Sequence, residues 1–398
     1  HYGQGKWYPG EQLPRWAFAL YWRRDGKPLW NDAHMIAREQ ADYRPDIDTA
    51  ETFARGVARR LEVDEAAATP ALEDTWHFLE KERRLPENMD PTDPKLDDPL
   101  ERARLIRVFE RGLSHPTGYV LPIQRWNAKE GKRRWYSEPW SVRSNHLVLI
   151  PGDSPVGLRL PIPSLPHIRD VDYPYVIPAD PFAERGELPD PDATRQMYLR
   201  GSEHPNSNRQ TISKQSITGR QVRAALTVEP RDGRLCIFMP PTETLEDYLD
   251  LITAIEDAAA EAKMPIHIEG YGPPADPRIN VIKVTPDPGV LEVNIQPAAS
   301  WPEMIDITTT IYEEARLSRL GTEKFLLDGR HTGTGGGNHV VLGGATAADS
   351  PFLRRPDLLR SLITYWQQHP SLSYLFSGMF IGPTSQAPRV DDARHDGL

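Results

Sequence analysis

The chain has 398 residues, enough for two domains with separate cores, and its formal net charge of -10 argues against the basic patch that nucleic-acid binding requires. A single cysteine, Cys236, leaves no internal disulfide framework and no thiolate-rich zinc site. No apolar run reaches the roughly 18 residues of a membrane span, and the N-terminus lacks a basic-then-apolar leader, so a cytoplasmic protein with no membrane partner is expected.

The chain opens on His1 rather than Met, from which a segment of a longer polypeptide is expected. Aromatic residues alternate through Trp16–Trp22 and are followed by Asp25-Gly26 and Pro28-Leu29-Trp30, a pattern that predicts a hairpin. A packed aromatic hairpin is favoured there over a ligand platform. Phe53, Val57 and Leu61 recur at helical spacing behind a cap at Asp46 or Asp48. Pro86–Leu100 reads as an exposed linker and Leu100–Gly112 as a short helix. Residues 1–115 are therefore expected to form a smaller mixed α/β region, and 116–398 a larger one that continues past the segment.

Strands are predicted over Tyr119–Trp126, Trp135–Trp140 and His146–Ile150, with a strong turn at Pro151–Pro155. The 39 prolines disfavour an all-helical fold. Their concentration over Pro161–Pro191 suggests an ordered covering loop. Of Arg159, Arg195, Arg200, Arg209, Arg220 and Arg223, most are expected in solvent and one or two against a carboxylate or phosphate.

The second half predicts an α+β arrangement. Ala225–Glu229 and Arg234–Met239 form a hairpin about Pro230-Arg231-Asp232-Gly233. Thr244 with Asp247 opens a helix whose apolar side uses Leu245, Leu249, Ile252 and Ile255. Strands follow over Pro265–Glu269, Asn280–Val284 and Val290–Gln296. Ser300 with Glu303 opens a second helix on Met304, Ile307, Ile311 and Ala315. A glycine-rich loop leads into a strand over Asn338–Leu342, and a last helix over Arg355–Gln368 sets Leu358, Leu359, Leu362, Tyr365 and Trp366 on one side.

Side chains alternate across a strand, so spacing converts into faces. With the two helices covering the apolar side, Glu229, Glu269, Glu292 and Asn294 would share the open face with Lys283 and His339. A plainly solvated face explains the same pattern. Against that, acids gathered in strands with few neighbouring cations are unfavourable unless a cation binds, and carboxylates suit magnesium shared with substrate phosphates. The adjacent loop, Gly333-Thr334-Gly335-Gly336-Gly337-Asn338, lets a phosphate approach backbone N–H groups, or is simply a flexible turn. It is not a P-loop, because no Gly-Lys-Ser/Thr closes it, and it does not sit between strand and helix as a dinucleotide fingerprint does.

The motifs Gly-Thr-Gly-Gly-Gly-Asn-His339, His-Ile-Glu-Gly-Tyr-Gly272, Val-Thr-Pro-Asp-Pro-Gly-Val-Leu-Glu-Val-Asn-Ile-Gln-Pro297 and Pro-Ser-Leu-Ser-Tyr-Leu-Phe-Ser-Gly378 resemble a bacterial family of predicted amidoligases. That family carries a glutamine-synthetase-like carboxylate–amine ligase module, commonly fused behind a transglutaminase-like domain. The resemblance covers essentially the whole chain, including its opening His-Tyr-Gly-Gln-Gly-Lys-Trp-Tyr-Pro-Gly10. It implies a glutamine-synthetase-like antiparallel sheet with helices on one face. It also implies ATP- and Mg2+-dependent ligation of a carboxylate to an amine through an acyl-phosphate, with an amino acid or peptide as substrate and a transglutaminase-like domain in the same longer polypeptide.

By resemblance, His339 and Glu292 hold metal and nucleotide, and Glu229 and Glu269 are further metal candidates. Asn294 stands where the family's motif often has a charged residue. For such a ligase the candidates are Gly333, Thr334, Gly335, Gly336, Gly337 and Asn338 for the nucleotide, Lys283 or Arg330 for the transferring phosphate, each equally read as an exposed strand or loop cation, and His331 for acid–base work. The alternative is a non-catalytic peptide-binding or scaffold module. A cysteine hydrolase is disfavoured, because Cys236 lies mid-strand rather than at a helix N-terminus.

Overall fold

The structure is a computed structural model that describes residues 1–5, 15–82, 115–127, 133–140, 146–165, 185–190, 192, 222–287, 290–322, 324–325, 327–329, 331–332, 341–344, 347–369 and 371. The linker over Pro86–Leu100, the helix over Leu100–Gly112, most of Pro161–Pro191, and Arg195, Arg200, Arg209 and Arg220 lie outside the described residues. The strands in chain order are β1 (Tyr2–Gln4), β2 (Trp16–Arg23), β3 (Thr69–Leu72), β4 (Gly118–Asn127), β5 (Arg133–Ser137), β6 (Leu147–Val148), β7 (Ala225–Arg231), β8 (Arg234–Met239), β9 (Ile266–Gly270), β10 (Ile279–Asp287), β11 (Val290–Asn294), β12 (Lys324–Phe325) and β13 (His331–Thr332). The helices are α1 (Ile47–Arg60), α2 (Thr75–Glu82), α3 (Leu245–Ala262), α4 (Trp301–Leu317), α5 (Pro351–Arg354) and α6 (Pro356–Gln368). The fold is mixed α and β. It divides into two units, neither a single run of sequence: His1–Tyr2, Pro28–Ala179 and Glu187–Ala275 make one, and Gly3–Lys27, Asp180–Gly186 and Asp276–Leu398 the other.

In the first unit the strand order is β9-β8-β7-β4-β3-β6, with β5 on β4. The sheet is mixed, where the sequence led us to expect antiparallel pairing: β8 runs parallel to β9, and β3 to β6. Helix α3 joins β8 to β9, and a strand–helix–strand connection of this kind returns the second strand parallel to the first. The β7–β8 turn is tighter than expected. Asp232 and Gly233 both take positive φ, 51° and 73°, as a two-residue type I′ turn requires, so Pro230 and Arg231 stay in the strand.

Both faces of this sheet are covered. Helices α1 and α3 bury Phe53, Val57, Leu251 and Ile255 against Leu226, Val228, Leu235 and Ile237. Asp46 caps α1 by accepting from Thr49 N at 2.8 Å, and Thr244 caps α3 by accepting from Asp247 N at 3.2 Å. Each fully buried aliphatic side chain contributes about 1.5–3 kcal/mol, and Leu251→Ala would cost about 2–5 kcal/mol. The acids of α3 are satisfied too: Asp250 takes hydrogen bonds from Arg125 and from Trp135 Nε1, the latter at 2.8 Å.

The opposite face carries a second core of Val120, Trp140, Leu147, Leu149, Val156 and Leu160, with a short 3-10 turn at Val156–Leu158 laid over β7 and β8. Gly157 sits so close to Phe238 that a Cβ there would come within 2.2 Å of the ring. Arg159 meets a carboxylate, pairing with Glu73 at 2.7 and 3.1 Å.

In the second unit β10 pairs antiparallel with β2 on one side and β11 on the other. The aromatic strand β2 therefore pairs with β10, not with Pro28–Trp30, which form no strand. The Asp25-Gly26 turn is present, with Gly26 at φ 76° and the Asp25 carboxylate held by Arg23 at 2.9 Å. Register sets Phe18, Val284 and Val293 in one row on one face, beside Leu20 with Ile282 and Leu291 with Pro286. Phe18, Leu20, Leu291 and Val293 are exposed on that face.

Helix α4 has the expected capping box, Glu303 N donating to Ser300 Oγ at 3.4 Å and Ala299 N to Glu303 Oε2 at 2.7 Å. Its apolar side is only half-buried and it has no buried residue, so the expectation that two helices cover the strands holds for α3 alone. Helix α6 leaves Leu358, Leu359, Leu362 and Tyr365 exposed. Val341 and Leu342, the described end of the strand expected over Asn338–Leu342, are exposed and not in a strand.

Candidate functional site

On the face of β7–β8–β9 away from the helices, alternation places Thr227, Glu229 and Arg231 on β7, Cys236 and Phe238 on β8, and His267 and Glu269 on β9. The sequence suggested an open, acid-lined surface with few cations near it. The structure corrects both points. Glu229 and Glu269 are buried, 7% and 2% exposed, and a cation lies between them, Arg231 donating to Glu229 Oε2 at 2.9 Å and to Glu269 Oε2 at 2.5 Å. Glu229 also accepts from Val156 N at 3.0 Å, which ties the covering turn to the acid pair.

Burial sets the electrostatics here. It pushes the Glu229 carboxyl above its ordinary range, against the opposing pull of Arg231 and the Val156 N–H. The two carboxylates more than offset the desolvation of Arg231, whose pKa moves up. Cys236 is buried and its thiol is pushed up to about 12, burial again outweighing the nearby guanidinium. His267 is lowered to about 4 by burial and by Arg234 and Arg231, so at neutral pH its imidazole carries no charge toward Glu269, 3.9 Å away. The Tyr2 ring lies against it, centroids 5.6 Å apart.

In the second unit a polar patch occupies the face of β10–β11 opposite the Phe18–Val293 row. Lys283 stands directly across from Asn294 and, on its other side, from Ala19; Thr285 stands across from Glu292. Asn294 Nδ2 donates to Glu292 Oε1 at 3.2 Å. The structure therefore gathers Lys283, Glu292 and Asn294 as one group, and Glu229 and Glu269 as another. His331 forms part of β13, paired with Phe325. Arg330, Gly333, Thr334, Gly335, Gly336, Gly337, Asn338 and His339 lie outside the described residues. Among the described residues no three His, Cys, Asp or Glu side chains converge to hold a metal ion.

A family model described as "Putative amidoligase enzyme (DUF2126)" matches residues 1–398. The chain belongs to this amidoligase family. No curated protein and no solved structure matches it. Membership points to amide-bond ligation and agrees with the motifs that suggested it. No described helix of this amidoligase-family chain is long and apolar enough to cross a membrane.

Two site residues escaped the sequence reading. Arg231 belongs to β7 rather than to the turn expected over Pro230–Gly233, and its place two residues after Glu229 puts it on the same face. Thr285, two residues after Lys283, has the same relation to the polar patch. Both were legible in the alternation, but neither residue type advertised chemistry.

Proposed function

We propose that this amidoligase-family chain is an ATP- and Mg2+-dependent carboxylate–amine ligase. The observation that carries the reading is the family match over the whole chain. The gathering of Lys283, Glu292 and Asn294 on one strand face supports it. In this reading an oxygen of the substrate carboxylate attacks the terminal phosphorus of ATP and ADP leaves, giving an acyl-phosphate. The amine nitrogen of an amino acid or peptide then attacks the acyl carbon, phosphate leaves, and the nitrogen gives up a proton. Lys283 and Arg330 are assigned to the oxygens of the transferring phosphoryl group, where fixed positive charge offsets developing negative charge. His331 is assigned the amine proton, and the backbone of Gly333–Asn338 the nucleotide phosphates.

Magnesium would supply charge neutralisation of the triphosphate, and Glu292, Asn294 and His339 are the residues assigned to it. Glu229 and Glu269 do not fit that role, because the Arg231 guanidinium already bridges them and takes up the oxygens a metal ion would need. We assign that pair to structure and to holding the covering turn. The glutamine-synthetase-like arrangement and a transglutaminase-like partner in the same longer polypeptide belong to the same proposal.

The test is magnesium-dependent ADP release from the full chain across amino acids and short peptides, with mass-spectrometric detection of the ligated product. Glu292→Gln should reduce turnover at least about tenfold, the effect of losing roughly 1.4 kcal/mol of transition-state stabilisation. Peptide binding without ADP release would overturn the ligase reading in favour of a scaffold module.

A further inference from the structure

Thr285 is 4% exposed, and its hydroxyl is buried with no hydrogen-bond partner. A buried hydroxyl left unpaired is costly, and a fold that retains one has a use for it or a defect. Its position narrows the choice. Thr285 shares its strand face with Lys283, two residues before it, and stands directly across from Glu292. Side chains directly opposite in an antiparallel pair are about 4.5–5.5 Å apart at Cβ, so Lys283, Thr285, Glu292 and Asn294 form a two-by-two block.

Within the block the polar groups are unequally engaged. Glu292 receives the Asn294 amide at 3.2 Å, whereas the Lys283 side chain makes no ion pair or hydrogen bond among the described residues. On the side of Lys283 away from Asn294 the neighbour is Ala19, a buried methyl that offers the ammonium no polar partner. The block is also graded: Thr285 is buried, Lys283 and Glu292 are half-buried and Asn294 is exposed. Two donors, one hydroxyl and one ammonium, thus lie on one face with no acceptor assigned to them.

We propose that Lys283 and Thr285 form an oxyanion subsite, with the Thr285 hydroxyl as its floor, the Lys283 ammonium as its charge, and Asn294, oriented by Glu292, at its mouth. The ligand chemistry is a compact anionic oxygen group, either a phosphate of the nucleotide or the carboxylate to be activated. The inference deepens the ligase reading by giving one of its two anions a place. It adds Thr285 as a binding residue that neither the family resemblance nor the sequence reading had singled out.

The subsite has a signature that an ordinary structural threonine lacks: its floor weakens the empty fold and strengthens the loaded one. The experiment is thermal unfolding of the full chain with inorganic phosphate, with glutamate, and with chloride at matched ionic strength, for wild type, Thr285→Val, Thr285→Ser and Lys283→Met. Wild type should melt higher in phosphate or glutamate than in chloride. A response to phosphate alone assigns the nucleotide, and one to glutamate alone assigns the substrate carboxylate. Thr285→Val should raise the unliganded midpoint by about 2–4 °C and lose the anion response. Thr285→Ser should keep that response, and Lys283→Met should abolish it. A lower unliganded midpoint in Thr285→Val, a wild-type anion response in that variant, or no anion-specific response in wild type overturns the subsite. Absence of ADP release with the anion response intact overturns the ligase reading alone.

Discussion

The Arg231 guanidinium on β7 donates to the Glu269 carboxylate on β9 at 2.5 Å, and the sheet register sets Cys236 on the intervening strand between them. One arginine thus spans three strands, and a second carboxylate, Glu229, shares it at 2.9 Å. Removing one partner of a buried ion pair leaves an uncompensated charge and costs about 3–5 kcal/mol. Arg231→Met should lower unfolding stability in urea by that amount. Adding Glu229→Gln and Glu269→Gln to the same chain should recover much of the loss, because the stranded charges are then gone. A triple variant no more stable than Arg231→Met would show that the network does not behave as a unit.

His267 makes the first unit sensitive to acid. Its folded pKa is lowered to about 4, against about 6.5 for an unperturbed histidine. Between those values the unfolded chain binds the proton and the folded chain does not, so stability rises with pH across the window. The contribution is complete above about pH 6.5 and is lost as pH falls toward about 4, a total of about 3 kcal/mol. His267→Gln should flatten the pH dependence of the urea midpoint between pH 7 and pH 4, in a series run at constant ionic strength.

Cys236 should be chemically silent. Burial pushes its thiol up to about 12, leaving very little thiolate at pH 8. Iodoacetamide should fail to label the folded chain at that pH and should label it in urea. Cys236→Ser should leave magnesium-dependent ADP release within about twofold of wild type, since the thiol touches no group assigned to the reaction. Complete loss of turnover in that variant would reopen acyl-transfer chemistry at the thiol.

The covering turn should tolerate no added carbon at Gly157. The Cβ of Gly157→Ala would lie 2.2 Å from the Phe238 ring, and overpacking of this kind costs about 1–3 kcal/mol. Differential scanning fluorimetry should show a lowered midpoint, whereas Gly186→Ala, with open space at its Cβ position, should move it little.

Helix starts were read well from sequence because their signals are local. Asp46, Thr244 and Ser300 each accept a backbone N–H in the first turn, and the apolar spacing behind them needs no partner to be recognised. Strand pairing was read less well. Nothing within Trp16–Trp22 says that its neighbour is β10, more than 250 residues away. Alternation along each strand gave the polar sides correctly, and Lys283, Glu292 and Asn294 do share a face. What alternation cannot report is depth. Glu229 and Glu269 fall on the expected side but are buried, Glu229 beneath the Val156 N–H of the covering turn and Glu269 against Arg231 from two strands away, both tertiary contacts.

The fit of Gly157 against Phe238 has a consequence for how this family varies. A missing side chain on the turn and a flat ring on β8 occupy one space between them, so neither position is independent of the other. Sequences that carry alanine at 157 should carry a smaller residue at 238, and the pair Gly157→Ala with Phe238→Leu should be better tolerated than Gly157→Ala alone. Related chains would then record this contact as correlated substitution, a trace of tertiary structure across a sequence separation at which local pattern is silent.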